Sequence, residues 1–249
     1  MYTIDDIMYT VNTDPMGIAI AMFIVFGSAG VIYFYSLWLQ FKEHKAPFYV
    51  WMHAYYFAHD VNFVCLFDIM WNQTGFWVFE LMWVGCVAFI VIELISLYGA
   101  VKYERQDIWG DTVHDGPITE KQAWAKGLFL YAFMLIICTC VRIAIGDVMC
   151  FFFMMTTNAL TAIAPGFLAQ KRGSREGSSI VQVIFIIINV TLTFAPQGIG
   201  MWATLAPCFR EPWFYVLGLV SLFFAIRYLV ILLRYPKKEP LPDGSKAIF

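Results

Sequence analysis

Seven stretches of this 249-residue chain are apolar for long enough to cross a bilayer, at roughly 17–41, 47–71, 76–101, 122–144, 147–169, 178–204 and 212–235. Each approaches or exceeds the ~20 residues that a helix needs to span a hydrocarbon core about 30 Å thick. Backbone N–H and C=O groups find no partners in lipid, so the runs are expected to be helices. The pattern predicts an all-α, polytopic membrane protein: one seven-helix transmembrane domain over residues 1–249. Two links are very short. Asn72–Gly75 joins the second and third runs, and Ile145–Asp147 joins the fourth and fifth, which predicts that each of these pairs packs antiparallel.

Polar residues recur on one face of several runs. In the second run His53, Tyr56, Asp60, Phe63 and Phe67 follow a three-four spacing and form one helical stripe, with His59 and Asn62 a quarter to a half turn away. The fifth adds Asn158, Thr161 and Pro165, and the sixth adds Gln182, Asn189, Thr193 and Pro196. Pro196 is expected to kink its helix. The seventh adds Ser221, Phe224, Arg227 and Tyr228, and the third carries Glu93. A carboxylate at the depth of Asp60 costs roughly 2.5–3.5 kcal/mol on insertion, so it is expected to face an interior cavity or a partner. Asp60, Glu93 and Arg227 fall within roughly 10 Å of one height at 1.5 Å per residue, so Arg227 is expected to pair with one of the two acids. Asp68, Glu80, Arg142 and Asp147 collect near the opposite end from the basic loops and read as an interfacial salt network.

Composition agrees with a membrane protein: 61% of residues are hydrophobic and 14% are charged, where soluble domains are about a quarter charged. The charges are segregated. Thirteen of the sixteen Lys and Arg residues lie in the 42–45, 102–126 and 171–175 stretches and the tail from Arg234; the opposite connections hold only Arg142 and Arg210. The positive-inside rule then predicts residues 1–14 outside and a cytoplasmic tail over 236–249. The membrane would be the plasma membrane in a prokaryote or the endoplasmic reticulum in a eukaryote. Six tryptophans near run ends, Trp71, Trp77, Trp109, Trp124, Trp202 and Trp213, suit an interfacial belt. No patch suits nucleic acid. The first fourteen residues hold three aspartates and no Lys or Arg, unlike a signal peptide.

The candidate chemistry is narrow. Six cysteines, mostly inside apolar runs, read as buried small residues, and Cys138 and Cys140 lack a metal-clip spacing. The last run has no lysine for a retinal Schiff base. Haem needs histidines on facing helices, whereas His53 and His59 share one run and His44 and His114 lie in connections. No metal and no cofactor is therefore expected.

Phe57-Ala58-His59-Asp60 in the second run resembles the Phe-Ala-Trp-Glu segment of the integral-membrane terpene cyclases, of the fungal meroterpenoid type and their bacterial relatives. Leu97–Tyr103 followed by Trp109 is similar to that family's third-helix exit, and Gln170–Ser179 resembles its Gly/Arg turn before the sixth helix. The resemblance implies a seven-helix enzyme that protonates and cyclises an isoprenoid entering from the membrane lipids. It implies Asp60 as general acid, tuned by His59 or His53, with Glu93 as a second donor or as the partner of Arg227. Tyr56, Phe63, Phe67, Asn158, Asn189, Phe224, Arg227 and Tyr228 would contact the substrate. The family's last-helix aspartate has no counterpart, because that region reads Phe224-Ala-Ile-Arg227-Tyr228. The rival reading is a non-catalytic binder or transporter of a small apolar ligand, in which Asp60, Glu93 and Arg227 form a structural or gating ion network.

Overall fold

The structure, a computed structural model, describes residues 2–112 and 116–249; His114 lies outside them. Among the described residues all regular structure is helical. Five helical stretches are long and apolar enough to cross a membrane: Pro15–Lys42, Trp77–Thr112, Glu120–Ile145, Phe151–Arg172 and Pro212–Arg234. That is consistent with a multi-pass integral membrane protein. The helices are α1 (Ile4–Thr13), α2 (Pro15–Lys42), α3 (Val50–Val64), α4 (Trp77–Gly99), α5 (Arg105–Trp109), α6 (Glu120–Ile145), α7 (Phe151–Ile163), α8 (Pro165–Arg172), α9 (Ile180–Thr193), α10 (Met201–Leu205) and α11 (Pro212–Arg234).

The two remaining apolar runs are interrupted. The second tightens into a turn at Cys65 and Leu66, where the Leu66 N–H donates to the Phe63 carbonyl at 3.0 Å, and resumes toward a π-helical turn over Ile69–Gln73. The Val64 carbonyl at the break accepts a hydrogen bond from the Trp83 indole N–H at 2.8 Å. The sixth run stops instead of kinking. Pro196 has no N–H to give and disfavours helical geometry at Ala195. The chain turns there, with Gly198 at φ 87°, and returns as α10, every residue of which is buried. Trp202, expected in the interfacial belt, is fully buried as a result, and Trp109 is buried as well.

α3 is the central helix and packs on α6, α4 and α7; α2 packs on α9, and α11 on α9, α7 and α8. The short link after α6 turns on Gly146, whose φ of 68° suits glycine. It does not make α6 and α7 close partners, because α6 lies on α3 and turns Phe129, Phe133 and Ile136 outward. Amide and hydroxyl side chains tie the interior helices together, as expected where hydrophobicity no longer separates inside from outside. Gln182 donates to the Ile32 carbonyl at 3.0 Å, Asn189 to the Val25 carbonyl and Ser28 Oγ at 2.9 Å each, and Asn158 to Thr193 Oγ1 at 3.0 Å. Cys65 and Cys140 face outward, so the expectation of burial holds only for Cys86, Cys138 and Cys150, with Cys208 between.

The ends of the bundle are closed by different chemistry. At the basic end, Glu104 accepts from the Ala46 N–H at 2.7 Å and from Arg172 at 2.9 Å. Lys238 of the tail reaches Glu43 at 2.7 Å, and the Ile248 N–H donates to the same carboxylate at 2.8 Å. Burial holds the Lys238 ammonium below its ordinary value, and the hydrogen bond to Glu43 opposes that shift. The other end does not form the expected salt network. Asp147 takes the Tyr2 hydroxyl and caps α7 by accepting from the Phe152 and Phe153 N–H groups at 3.2 Å each. Arg142 donates to Asn62 Oδ1 at 3.1 Å and to the Asp147 carbonyl at 3.5 Å, and Asp68 accepts from Asn72 and Gln73 at 2.8 Å.

Candidate functional site

The stripe on α3 faces inward as its spacing predicts, with His53, Tyr56, Asp60 and Phe63 buried together with His59 and Asn62. His59 and Asp60 border an interior chamber enclosed by α2, α3, α4, α7, α9 and α10. The chamber has a volume of about 40 Å³, room for a few ordered waters. Tyr33, Phe26, Phe89 and Trp202 supply its aromatic wall, and Cys86 of α4 stands against Asp60.

Asp60 and Glu93 are each matched with a histidine of α3. His59 Nδ1 lies 2.9 Å from Asp60 Oδ1, and His53 Nδ1 lies 2.5 Å from Glu93 Oε2. All four side chains are at most 5% exposed. The two histidines lie along α3, and Tyr33 of α2 faces the same chamber as Asp60. The Tyr33 ring is 5.9 Å from that of Tyr56, whose hydroxyl is 2.7 Å from Thr161 Oγ1. Beyond the second pair, His53 also borders a vestibule of about 680 Å³ at the basic end, beside Glu104 and Arg172. A buried histidine–carboxylate pair that shares one proton is neutral as a whole, so neither side chain is left as an uncompensated charge. Three buried nitrogen and oxygen atoms of this region have no protein partner: His59 Nε2, His53 Nε2 and Glu93 Oε1. The Trp202 indole N–H is a fourth such group.

The predicted residues divide into three groups. His59, Asp60, Asn158 and Asn189 border the chamber, although both asparagine amides already donate to neighbouring helices. His53, Glu93 and Tyr56 form the layer behind it. The others lie elsewhere. Phe63 is packed in the core, and Phe67 is 47% exposed and stacked on Trp71 at 5.6 Å. Phe224 lies against Phe167 at 5.4 Å, and Tyr228 is buried against Gly166. The expected ion pair of Arg227 is absent. Its guanidinium donates to Gln170 Oε1 and lies 4.9 Å from the Phe167 ring centroid. Arg227 is seven residues from the end of α11, about 10 Å, and its long side chain extends to Gln170 of α8. The acids, meanwhile, are matched with histidines.

The sequence pattern does not point to Phe26, Phe89, Cys86 or Trp202 as chamber residues, and its one signal for Tyr33 is a hydroxyl in the middle of an apolar run. Comparison with known family models, curated proteins and solved structures brings no match.

Proposed function

We propose that this chain crosses the membrane seven times, with residues 1–14 outside and the basic end in the cytoplasm, and that it is a terpene cyclase-type enzyme acting on an isoprenoid or prenylated substrate. The observation that carries the reading is the buried His59–Asp60 pair at the wall of an aromatic-lined chamber. Asp60 delivers its proton to a terminal alkene or an epoxide oxygen, and His59 orients the carboxyl. The chain closes on the resulting cation. Loss of a proton from the final cation returns it to the site, so no oxidant or reductant is consumed. The faces of Tyr33, Phe26 and Phe89 suit a passing positive charge, as aromatic faces suit other cations. His53 and Glu93 exchange protons with the cytoplasmic vestibule and set the protonation of the site through Tyr33.

The α3 break and the stop at Thr193 are compatible with seven crossings, since each of these two runs resumes as helix after the interruption. The small chamber favours a second reading, a non-catalytic binder of a small apolar ligand. In that case the ion network consists of the two histidine–acid pairs and excludes Arg227.

The test feeds prenylated and epoxidised isoprenoids to cells that express the protein. Cyclised product is expected from wild type. Asp60→Asn should lower it by roughly 100- to 10,000-fold, the usual worth of general acid catalysis, without loss of folded protein. Equal product from a folded Asn variant removes Asp60 as the acid. The absence of product from the whole panel moves the binder reading ahead.

A further inference from the structure

We propose that the cleft between α2 and α4 is a bilayer-side entrance and chain-binding site. Its occupant is a single-chain amphiphile whose oxygen-bearing head passes between Phe26 and Phe89 to His59 and Trp202. The proposal rests on reading the interior chamber as a ligand site, and does not need the cyclisation chemistry.

Volume comes first. At about 40 Å³ the chamber is far below the ~300–1,000 Å³ of small-molecule sites, so a whole prenyl chain does not fit inside it and only the reacting end can enter. The cleft on the outer side of α2 and α4 offers about 350 Å³. Its walls are apolar throughout, including Met22, Leu81 and Met82. Phe26 and Phe89 border both spaces, and each is half-buried. They are the partition between a greasy outer slot and an inner room that holds His59 and Asp60. The Phe89 ring also lies 4.8 Å from that of Tyr33, so a swing of Phe89 would disturb a ring that borders the chamber beside Asp60.

The slot is open because glycine lies on both of its walls. A β-carbon added at Gly27 or at Gly85 would meet nothing within 4 Å. Glycine within a helix costs about 1 kcal/mol relative to alanine, and here no neighbouring group requires its small size. α2 and α4 touch only lightly, whereas α4 packs firmly on α3.

The inner room points to the head group. Trp202 is fully buried and His59 is 4% exposed, yet the indole N–H and His59 Nε2 have no partner. Indole nitrogen is a donor only, so the head must carry an acceptor oxygen. A hydroxyl, a carbonyl or an epoxide meets that need, and a plain hydrocarbon does not.

The experiment uses the full chain in lipid nanodiscs with a diazirine-bearing prenyl alcohol as probe, and maps the labelled residues by mass spectrometry. Labelling is expected on the Met22–Gly27 and Leu81–Phe89 segments. Gly27→Leu and Gly85→Leu fill open space, so they should fold as wild type and each cut that labelling by about tenfold, equivalent to ~1.4 kcal/mol of binding. Gly27→Ala and Gly85→Ala should give a smaller cut, which keeps the test available if a leucine variant is unstable. The alcohol without the diazirine should compete, and the hydrocarbon of the same length should compete far less. Labelling spread evenly over the lipid-facing sides of α6 and α11 overturns the proposal. So does labelling that the glycine variants leave unchanged, or equal competition by the hydrocarbon. Cleft labelling without product from any substrate refutes the cyclase reading alone. Wild-type product from a folded Gly27→Leu/Gly85→Leu double variant refutes the entrance alone.

Discussion

His53→Phe should be among the most destabilising single changes in this protein. The ring that replaces imidazole is apolar and of similar shape, so the effect reports the pair with Glu93 more than a cavity. Glu93 is fully buried, its Oε1 has no partner, and Oε2 lies 2.5 Å from His53 Nδ1. Removing one member of such a pair leaves the other uncompensated, at about 3–5 kcal/mol. For a chain of this size each kcal/mol moves the melting temperature by ~2–4 °C, so a drop of roughly 10 °C is expected. The assay is thermal unfolding in detergent with a dye that fluoresces on reaction with thiols. Cys86, Cys138 and Cys150 are buried and report unfolding, while Cys65 and Cys140 are exposed and set the starting signal. Glu93→Leu in the His53→Phe background should recover most of the loss, because an apolar pair has no charge to strand. A cost below about 1 kcal/mol for His53→Phe, in the range of an ordinary interhelical hydrogen bond in a membrane, would refute the paired-charge reasoning. So would a double variant no better than the single one.

Three further outcomes follow from the same geometry. Asp147→Ala removes the α7 cap and the acceptor of the Tyr2 hydroxyl, and should cost about 2 kcal/mol in the same melt. Burial, followed by the neighbouring Asp147, holds the Tyr2 phenol above its ordinary value of 10.0. The stability this gives is present below pH 10 and is lost as pH rises beyond it, because the unfolded phenol ionises first; Tyr2→Phe should flatten that part of the stability–pH curve. Arg227→Met should cost less than about 1 kcal/mol, because its partners are a neutral amide and an aromatic face instead of a buried acid. A loss of 3 kcal/mol or more there would restore the mid-membrane ion pair.

The length of the apolar runs made the all-helical membrane architecture legible, and the three-four spacing in the second run made the inward face of α3 legible. Partner choice was not legible. Depth can be counted along a sequence, but the direction of a side chain around a bundle cannot. Arg227 matched the acids in depth and points to Gln170 and Phe167 instead. The histidines that do meet the acids were visible as neighbours of Asp60 on its own run. The sixth run misled because its composition stays apolar past Pro196, while the backbone turns there and delivers Trp202 to the chamber. Phe26 and Phe89 were hidden for a different reason. α2 and α4 carry apolar residues on every side apart from a few scattered polar ones, so periodicity does not mark which of their aromatics face inward.

In the proposed function Asp60 protonates a substrate inside the membrane. Turnover in D₂O tests it most directly, with the product analysed by mass spectrometry. Wild type should yield a cyclised product carrying a single non-exchangeable deuterium at the carbon that receives the proton, and folded Asp60→Asn should yield essentially none. For an epoxide substrate, whose oxygen takes the proton, an alkene analogue should be used so that the label is retained on carbon. A cyclised product without deuterium, or with the same yield and label from Asp60→Asn, would contradict the account.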